Sequence, residues 1–127
     1  MSFQKNIKHI ADILKNIATP NRLSILLAIG NGEACVCHLE TLLNLRQAYI
    51  SQQLMDMRDV GLVDTRRDGR YIYYRLTEPQ LLKLIGDIGK LFNIPTEELE
   101  TLLNSDPLPQ CCCPDCVAQL DPTPIAE

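Results

Sequence analysis

The chain has 127 residues, 12 Lys plus Arg against 16 Asp plus Glu for a net charge of −4, and no Trp. That length fits one domain of the usual size, about 100 to 150 residues, which excludes a large multidomain enzyme but supports a core without disulfide staples. The longest apolar run, Ile25 to Ile29, is far shorter than the roughly 18 residues of a membrane span, and no apolar block follows the first charges, so a cytoplasmic protein without membrane contact is expected.

From Lys5 to Ala18 the apolar residues Ile7, Ile10, Ala11, Leu14, Ile17 and Ala18 recur at spacings of three and four, one face of a helix. Thr19 is placed to cap a second helix with Pro20 at its first position, running through Leu23, Ile25, Leu26, Leu27 and Ile29 to the stop Gly30-Asn31-Gly32. A short third helix is predicted over His38 to Leu43. A fourth runs over Gln47 to Val60, with Ile50, Leu54 and Met57 inward and Gly61 as terminator. Leu62 to Arg66 and Tyr71 to Leu76 read as two strands joined by Arg67-Asp68-Gly69-Arg70, with an Asp-Gly hairpin signal. Thr77 is the expected cap of a fifth helix whose Leu81, Leu82, Leu84, Ile85, Ile88, Leu91 and Phe92 cover more of the circumference than a surface helix needs, which calls for a second buried partner. Pro95 and Thr96 open a last short helix, Glu97 to Leu103. From Ser105 onward the chain carries five of its eight prolines and reads as an irregular tail.

The fold class is therefore mainly α with a β-hairpin, in two parts: a folded domain over residues 1–104 and a Cys- and Pro-rich tail over 105–127. Charge divides in nearly the same way. Residues 1–76 hold ten basic and seven acidic side chains, the remainder two and nine, so the acidic average does not argue against a nucleic-acid surface in the first part.

Two short helices joined by a tight turn, then a hairpin with arginines at its tip, are the parts of a winged helix-turn-helix. The fourth helix suits a major groove and offers Gln47, Ala48, Tyr49, Ser51, Gln52 and Gln53, of which Gln matches adenine edges while Ser and Tyr hydroxyls bond phosphates or bases. The wing adds Arg66, Arg67 and Arg70 for phosphates or a neighbouring minor groove. The plainer reading, a solvated hairpin and a polar helix face, does not explain why helix, turn and wing occur in this order.

The segments Asn21-Arg22-Leu23-Ser24-Ile25-Leu26, Cys35-Val36-Cys37-His38-Leu39, Ile50-Ser51-Gln52-Gln53-Leu54 with Gly61-Leu62-Val63, and Arg67-Asp68-Gly69-Arg70-Tyr71-Ile72-Tyr73-Tyr74-Arg75-Leu76 together resemble the ArsR/SmtB family of metal-responsive repressors, over about residues 5–104. The resemblance implies a homodimer on palindromic double-stranded operator DNA that leaves it when a metal ion or metalloid binds. It also implies a dimer built from the first helix and the helix after the wing, the partner that the apolar excess of Leu81 to Phe92 asks for.

Six cysteines in a chain expected to be cytosolic point to metal binding or redox chemistry rather than disulfides. Cys35 and Cys37 stand at the start of the third helix, where the helix N-terminus favours thiolate. The other four are Cys111, Cys112, Cys113 and Cys116. Two thiols do not close a site, since zinc-like ions take four ligands in tetrahedral array and trivalent arsenic takes a pyramid of thiolates. Some arsenic-sensing members of the family carry Cys-Val-Cys-Asp-Leu-Cys on this helix, whereas this chain has Glu40 at the last position, so the tail is the remaining thiol source. Three arrangements stay open: Cys35 and Cys37 with tail thiols of the same subunit, with those of the partner, or a site wholly in the tail. Only the first two act on the DNA-reading helices directly.

The plain alternative for Cys35 and Cys37 is a pair of small buried hydrophobes. His38 is expected to face solvent at the helix start, with a ligand or supporting role as the alternative, and His9 to lie on the surface. The family's other sensing site uses His and carboxylates on the helix after the wing. No His occurs between Thr77 and Asn104, so that zinc site is not expected. Thiolate ligation selects soft ions. The expected inducers are As(III) or Sb(III), with cadmium, lead or zinc behind them, and a thiol redox or persulfide sensor in the same fold as the alternative. An enzyme is not expected, because Cys113-Pro114-Asp115-Cys116 lies in the tail and not in a thioredoxin-like strand-to-helix setting.

Overall fold

The computed structural model describes residues 2–97 as α1 (Ser2–Ile17), α2 (Pro20–Ile29), β1 (Ala34–Cys35), α3 (Val36–Leu43), α4 (Gln47–Asp59), β2 (Val63–Asp68), β3 (Tyr71–Leu76) and α5 (Gln80–Leu91). The Thr19 hydroxyl accepts the Arg22 N–H at 3.2 Å and Pro20 opens α2, as its sequence predicts. Helix α2 is then buried from Ile25 to Ile29. Around it Leu39 of α3 and Ile50, Leu54 and Met57 of α4 lose all solvent contact, so the core sits beneath the helix-turn-helix and holds α3 and α4 as one body. The turn between them is made by Asn44, left-handed at φ 56°, which ends α3 at a residue type that tolerates that conformation.

The three strands form one antiparallel sheet in the order β1-β3-β2. Strand β1 is missing from the sequence prediction, which starts the third helix at His38. The structure starts it at Val36, directly after the two paired residues Ala34 and Cys35. Strand β2 runs to Asp68, two residues beyond the predicted end, and pairs with β3 from Val63 opposite Leu76 to Asp68 opposite Tyr71. The loop is therefore Gly69-Arg70. Only its first residue has positive φ, 63°, the pattern of a II′ turn, whereas an Asp68-Gly69 loop of type I′ needs positive φ at both positions.

Thr77 does not cap α5. Its N–H bonds the Leu62 carbonyl at 3.1 Å and its hydroxyl donates to the Gly61 carbonyl at 2.6 Å, so it closes the end of the sheet while α5 begins after Pro79 without a side-chain cap. Tyr73 and Tyr74 are both buried although they point to opposite faces of β3, Tyr74 into the main core and Tyr73 against Cys35. Leu81, Leu82 and Ile85 pack α5 on the core. Its Leu84, Ile88 and Leu91 stay exposed, as do Phe3, Ile7, Ile10 and Leu14 along α1, and the two helices border one open apolar groove of about 430 Å³ lined by Leu14, Leu23, Leu27, Leu84 and Ile88. The predicted helix Glu97 to Leu103 and the tail lie outside the described residues, apart from Glu97 itself. No helix among the described residues is long and apolar enough to cross a membrane.

Candidate nucleic-acid interface and thiol pair

Helix α4 turns Ile50, Leu54 and Met57 inward, and this sets what it shows outward. Gln47, Ala48, Tyr49 and Gln52 are exposed, Ser51 and Gln53 half-buried. The predicted reading residues thus lie along one helix but differ in freedom. The Tyr49 hydroxyl accepts a hydrogen bond from the Asn21 amide at 2.9 Å, and the Gln53 carbonyl oxygen accepts from Arg22 Nε at 2.7 Å, so both side chains are engaged with α2. Gln52 stays on the surface and donates to Asp56 at 3.0 Å. Arg46, exposed at the N-terminal end of α4, is a basic residue of this face that the sequence reading did not single out.

On the wing, Arg67 and Arg70 are exposed at the tip. Arg66 is exposed as well, with 44% of its side chain accessible, but is held on one side. Its guanidinium bonds both Glu33 carboxylate oxygens, with an Nη2 contact of 2.8 Å, and lies over the Tyr73 ring at 4.5 Å from the centroid. Cys35, Tyr73 and Arg66 stand opposite one another on β1, β3 and β2, so the wing arginine and the thiol pair flank the same tyrosine.

Cys35 and Cys37 bring their sulfurs to 3.2 Å, both as thiols and not as a disulfide. Cys35 is 2% exposed and caps α3, its Sγ accepting the His38 N–H at 3.4 Å, while Cys37 is partly exposed beside it. His38 corrects its expectation. It is 8% exposed, buried beside the fully buried Leu39 in the first turn of α3, and burial pushes its pKa below the ordinary value by penalising the imidazolium. His9 is exposed, as expected. Among the described residues no group of three or more His, Cys, Asp or Glu side chains is arranged to hold a metal ion. Cys111, Cys112, Cys113 and Cys116 lie outside the described residues.

Helix-turn-helix, exposed polar α4 and arginine-tipped hairpin define the class: a winged-helix DNA-binding protein. The sequence profile described as bacterial regulatory protein, arsR family, matches residues 19–65, from the cap of α2 to the start of the wing. The chain is 39% identical over 98 residues, 77% of its own length and 84% of the relative's, to the biofilm growth-associated repressor of Agrobacterium fabrum. It is 39% identical over 71 residues, 55% of this chain and 61% of the other, to the arsenic resistance transcriptional regulator ArsR2 of Pseudomonas putida. The crystal structure of the transcriptional repressor BigR from Xylella fastidiosa superposes with a TM-score of 0.62 at 34% identity, covering 72% of this chain and 93% of that one. The chain belongs to the ArsR family of transcriptional repressors. Members of that family are regulators and not enzymes, and they bind operator DNA, typically as dimers.

Proposed function

We propose that this chain represses transcription as a homodimer on double-stranded operator DNA and is released when a thiophilic metalloid, As(III) or Sb(III), binds its cysteine thiolates. The observation that carries the reading is the thiol pair. Two sulfurs 3.2 Å apart stand at the first turn of the first helix of the helix-turn-helix, one of them serving as that helix's cap. A soft ion is what such a donor set selects, and a ligand at Cys35 competes with the cap bond that orders α3. Cys37, partly exposed, is the point of entry. The pair supplies two thiolates, and the tail cysteines Cys111, Cys112, Cys113 and Cys116 are the source of the others. The DNA contacts are assigned to Gln47, Ala48, Ser51 and Gln52 on α4 and to Arg67 and Arg70 on the wing. Tyr49, Gln53 and Arg66, engaged elsewhere in this structure, take supporting places.

The sulfur separation also favours a second reading. Peroxide can take two electrons and two protons from the pair, forming a sulfur–sulfur bond and two molecules of water, and so act on the same helix cap. One experiment separates the two. Anisotropy of a fluorescent duplex, enriched by the reduced full-length protein from a random-sequence library, is followed during titration with arsenite, antimonite, cadmium, lead and zinc, beside Cys37→Ser and a truncation before Cys111. Release of the wild type by arsenite, with both variants retained on DNA, is the expected result. Retention through every ion but release by peroxide establishes the redox reading in its place.

A further inference from the structure

We infer that Arg22 and Asp56 form a positioning relay that sets the orientation of Gln52 and makes it the side chain that discriminates bases at one pair in each operator half-site. The inference rests on α4 being the DNA-reading helix and is independent of the inducer.

The first part of the relay is Arg22, in the first turn of α2, with a side chain only 14% exposed. A guanidinium keeps its charge and its planar fork of donors, so each acceptor it engages is fixed relative to the others. Here Nη1 donates to Asn16 Oδ1 at 2.8 Å and to the Asn16 carbonyl at 3.3 Å, Nε to Gln53 Oε1 at 2.7 Å, and Nη2 to Asp56 Oδ2 at 2.9 Å. One side chain thereby joins the end of α1 to two successive turns of α4. Asn16 is itself held, its amide donating to the Asp12 carbonyl at 2.8 Å.

Asp56 carries the constraint outward. With Oδ2 on Arg22, its Oδ1 accepts from Gln52 Nε2 at 3.0 Å, one helical turn away. A carboxylate only accepts, so the Gln52 nitrogen faces Asp56, which fixes which way round the amide stands. Gln52 is left with its carbonyl oxygen and one N–H for a ligand, the acceptor and donor that the N6 and N7 edge of adenine takes in the major groove. The neighbouring Gln53 has the opposite role: Arg22 only donates and takes up its oxygen, so Gln53 is an inward anchor. Two adjacent glutamines with the same sequence credentials are thus sorted into reader and anchor by one arginine.

The test is a double-mutant cycle on the metal-free, reduced, full-length protein, using the duplex it enriches from a random-sequence library. Gln52→Ala is expected to cost about tenfold in affinity and to flatten the preference for one adenine–thymine pair in each half-site. Asp56→Ala is expected to cost a similar factor, and the double variant little more than either single one, because Gln52 without its buttress has lost its orientation. Arg22→Met in place of Asp56→Ala gives the same non-additivity. Costs that multiply to about a hundredfold overturn the relay, as does an unchanged base preference in Gln52→Ala. If Asp56→Ala does not fold, Asp56→Asn, which keeps the volume and removes the charge, is read by the same criteria. If the wild type enriches no sequence, the DNA-reading role of α4 falls, and the relay with it.

Discussion

Buried polar side chains carry most of what distinguishes this chain at the scale of single residues. His38 sits at the start of α3 with 8% of its surface exposed, and desolvation holds its pKa below the ordinary value of 6.5. The unfolded chain therefore binds the proton more readily than the folded one. The stability associated with a neutral His38 is complete above 6.5 and declines as pH falls through that value toward the lower folded pKa. The urea midpoint is expected to drop between pH 7 and pH 5.5, and His38→Gln to remove that part of the slope; a midpoint flat over this range contradicts it. The candidate cysteines were legible because type and spacing alone put Cys35 and Cys37 on one helix start. The engagement of Arg66 with Glu33 was not, since the partners lie 33 residues apart and meet only when the wing folds beside β1. Arg22 carried one available signal, an arginine within an apolar helix, where burial requires acceptors.

Among the elements, the helices follow their apolar periodicity closely and the sheet does not. A two-residue strand such as β1 shows no alternation to read, and it exists because Tyr73 and Tyr74 offer it a paired edge. The wing is longer than its sequence suggests because polar residues are acceptable at an exposed hairpin tip. Its turn depends on Gly69, whose φ of 63° favours glycine, while no atom lies within 4 Å of where a Cβ would stand. Gly69→Ala should accordingly cost about 1 kcal/mol through backbone conformation alone. Chemical denaturation of the variant measures this, and a cost near zero would place the requirement elsewhere than in φ. Thr77 has the composition of a helix cap and serves the sheet instead, because its N–H is already committed to the Leu62 carbonyl.

For the whole molecule the dominant feature is the apolar surface left by α1 and α5. Ile7, Ile10 and Leu14 on one helix, Leu84, Ile88 and Leu91 on the other, all stay exposed in the single chain, more than isolated surface hydrophobes require. In the proposed homodimer, burial of this face between two copies would bring two copies of α4 into one twofold arrangement, as a palindromic operator needs. Ile88→Glu, at a position 47% exposed, should leave the fold intact and give a monomer by light scattering, with at least about a tenfold loss of affinity for the enriched duplex. A variant that stays dimeric would exclude this face as the interface.

The sequence by itself determined the class of the fold, the order of its helices, the position of the wing and the placement of two cysteines at the start of α3. These depend on local periodicity, turn chemistry and spacing, which a chain expresses before it folds. Tertiary structure decided which side chains are engaged with one another. It buried His38, spent Gln53 and Tyr49 on α2, paired Arg66 with Glu33 and brought the sulfurs of Cys35 and Cys37 to 3.2 Å with Tyr73 packed against them. All but the Cys35–Cys37 separation, which is set between residues two apart at one helix start, need atoms from segments distant along the chain, and long-range contacts of that kind leave no periodic trace in either segment alone.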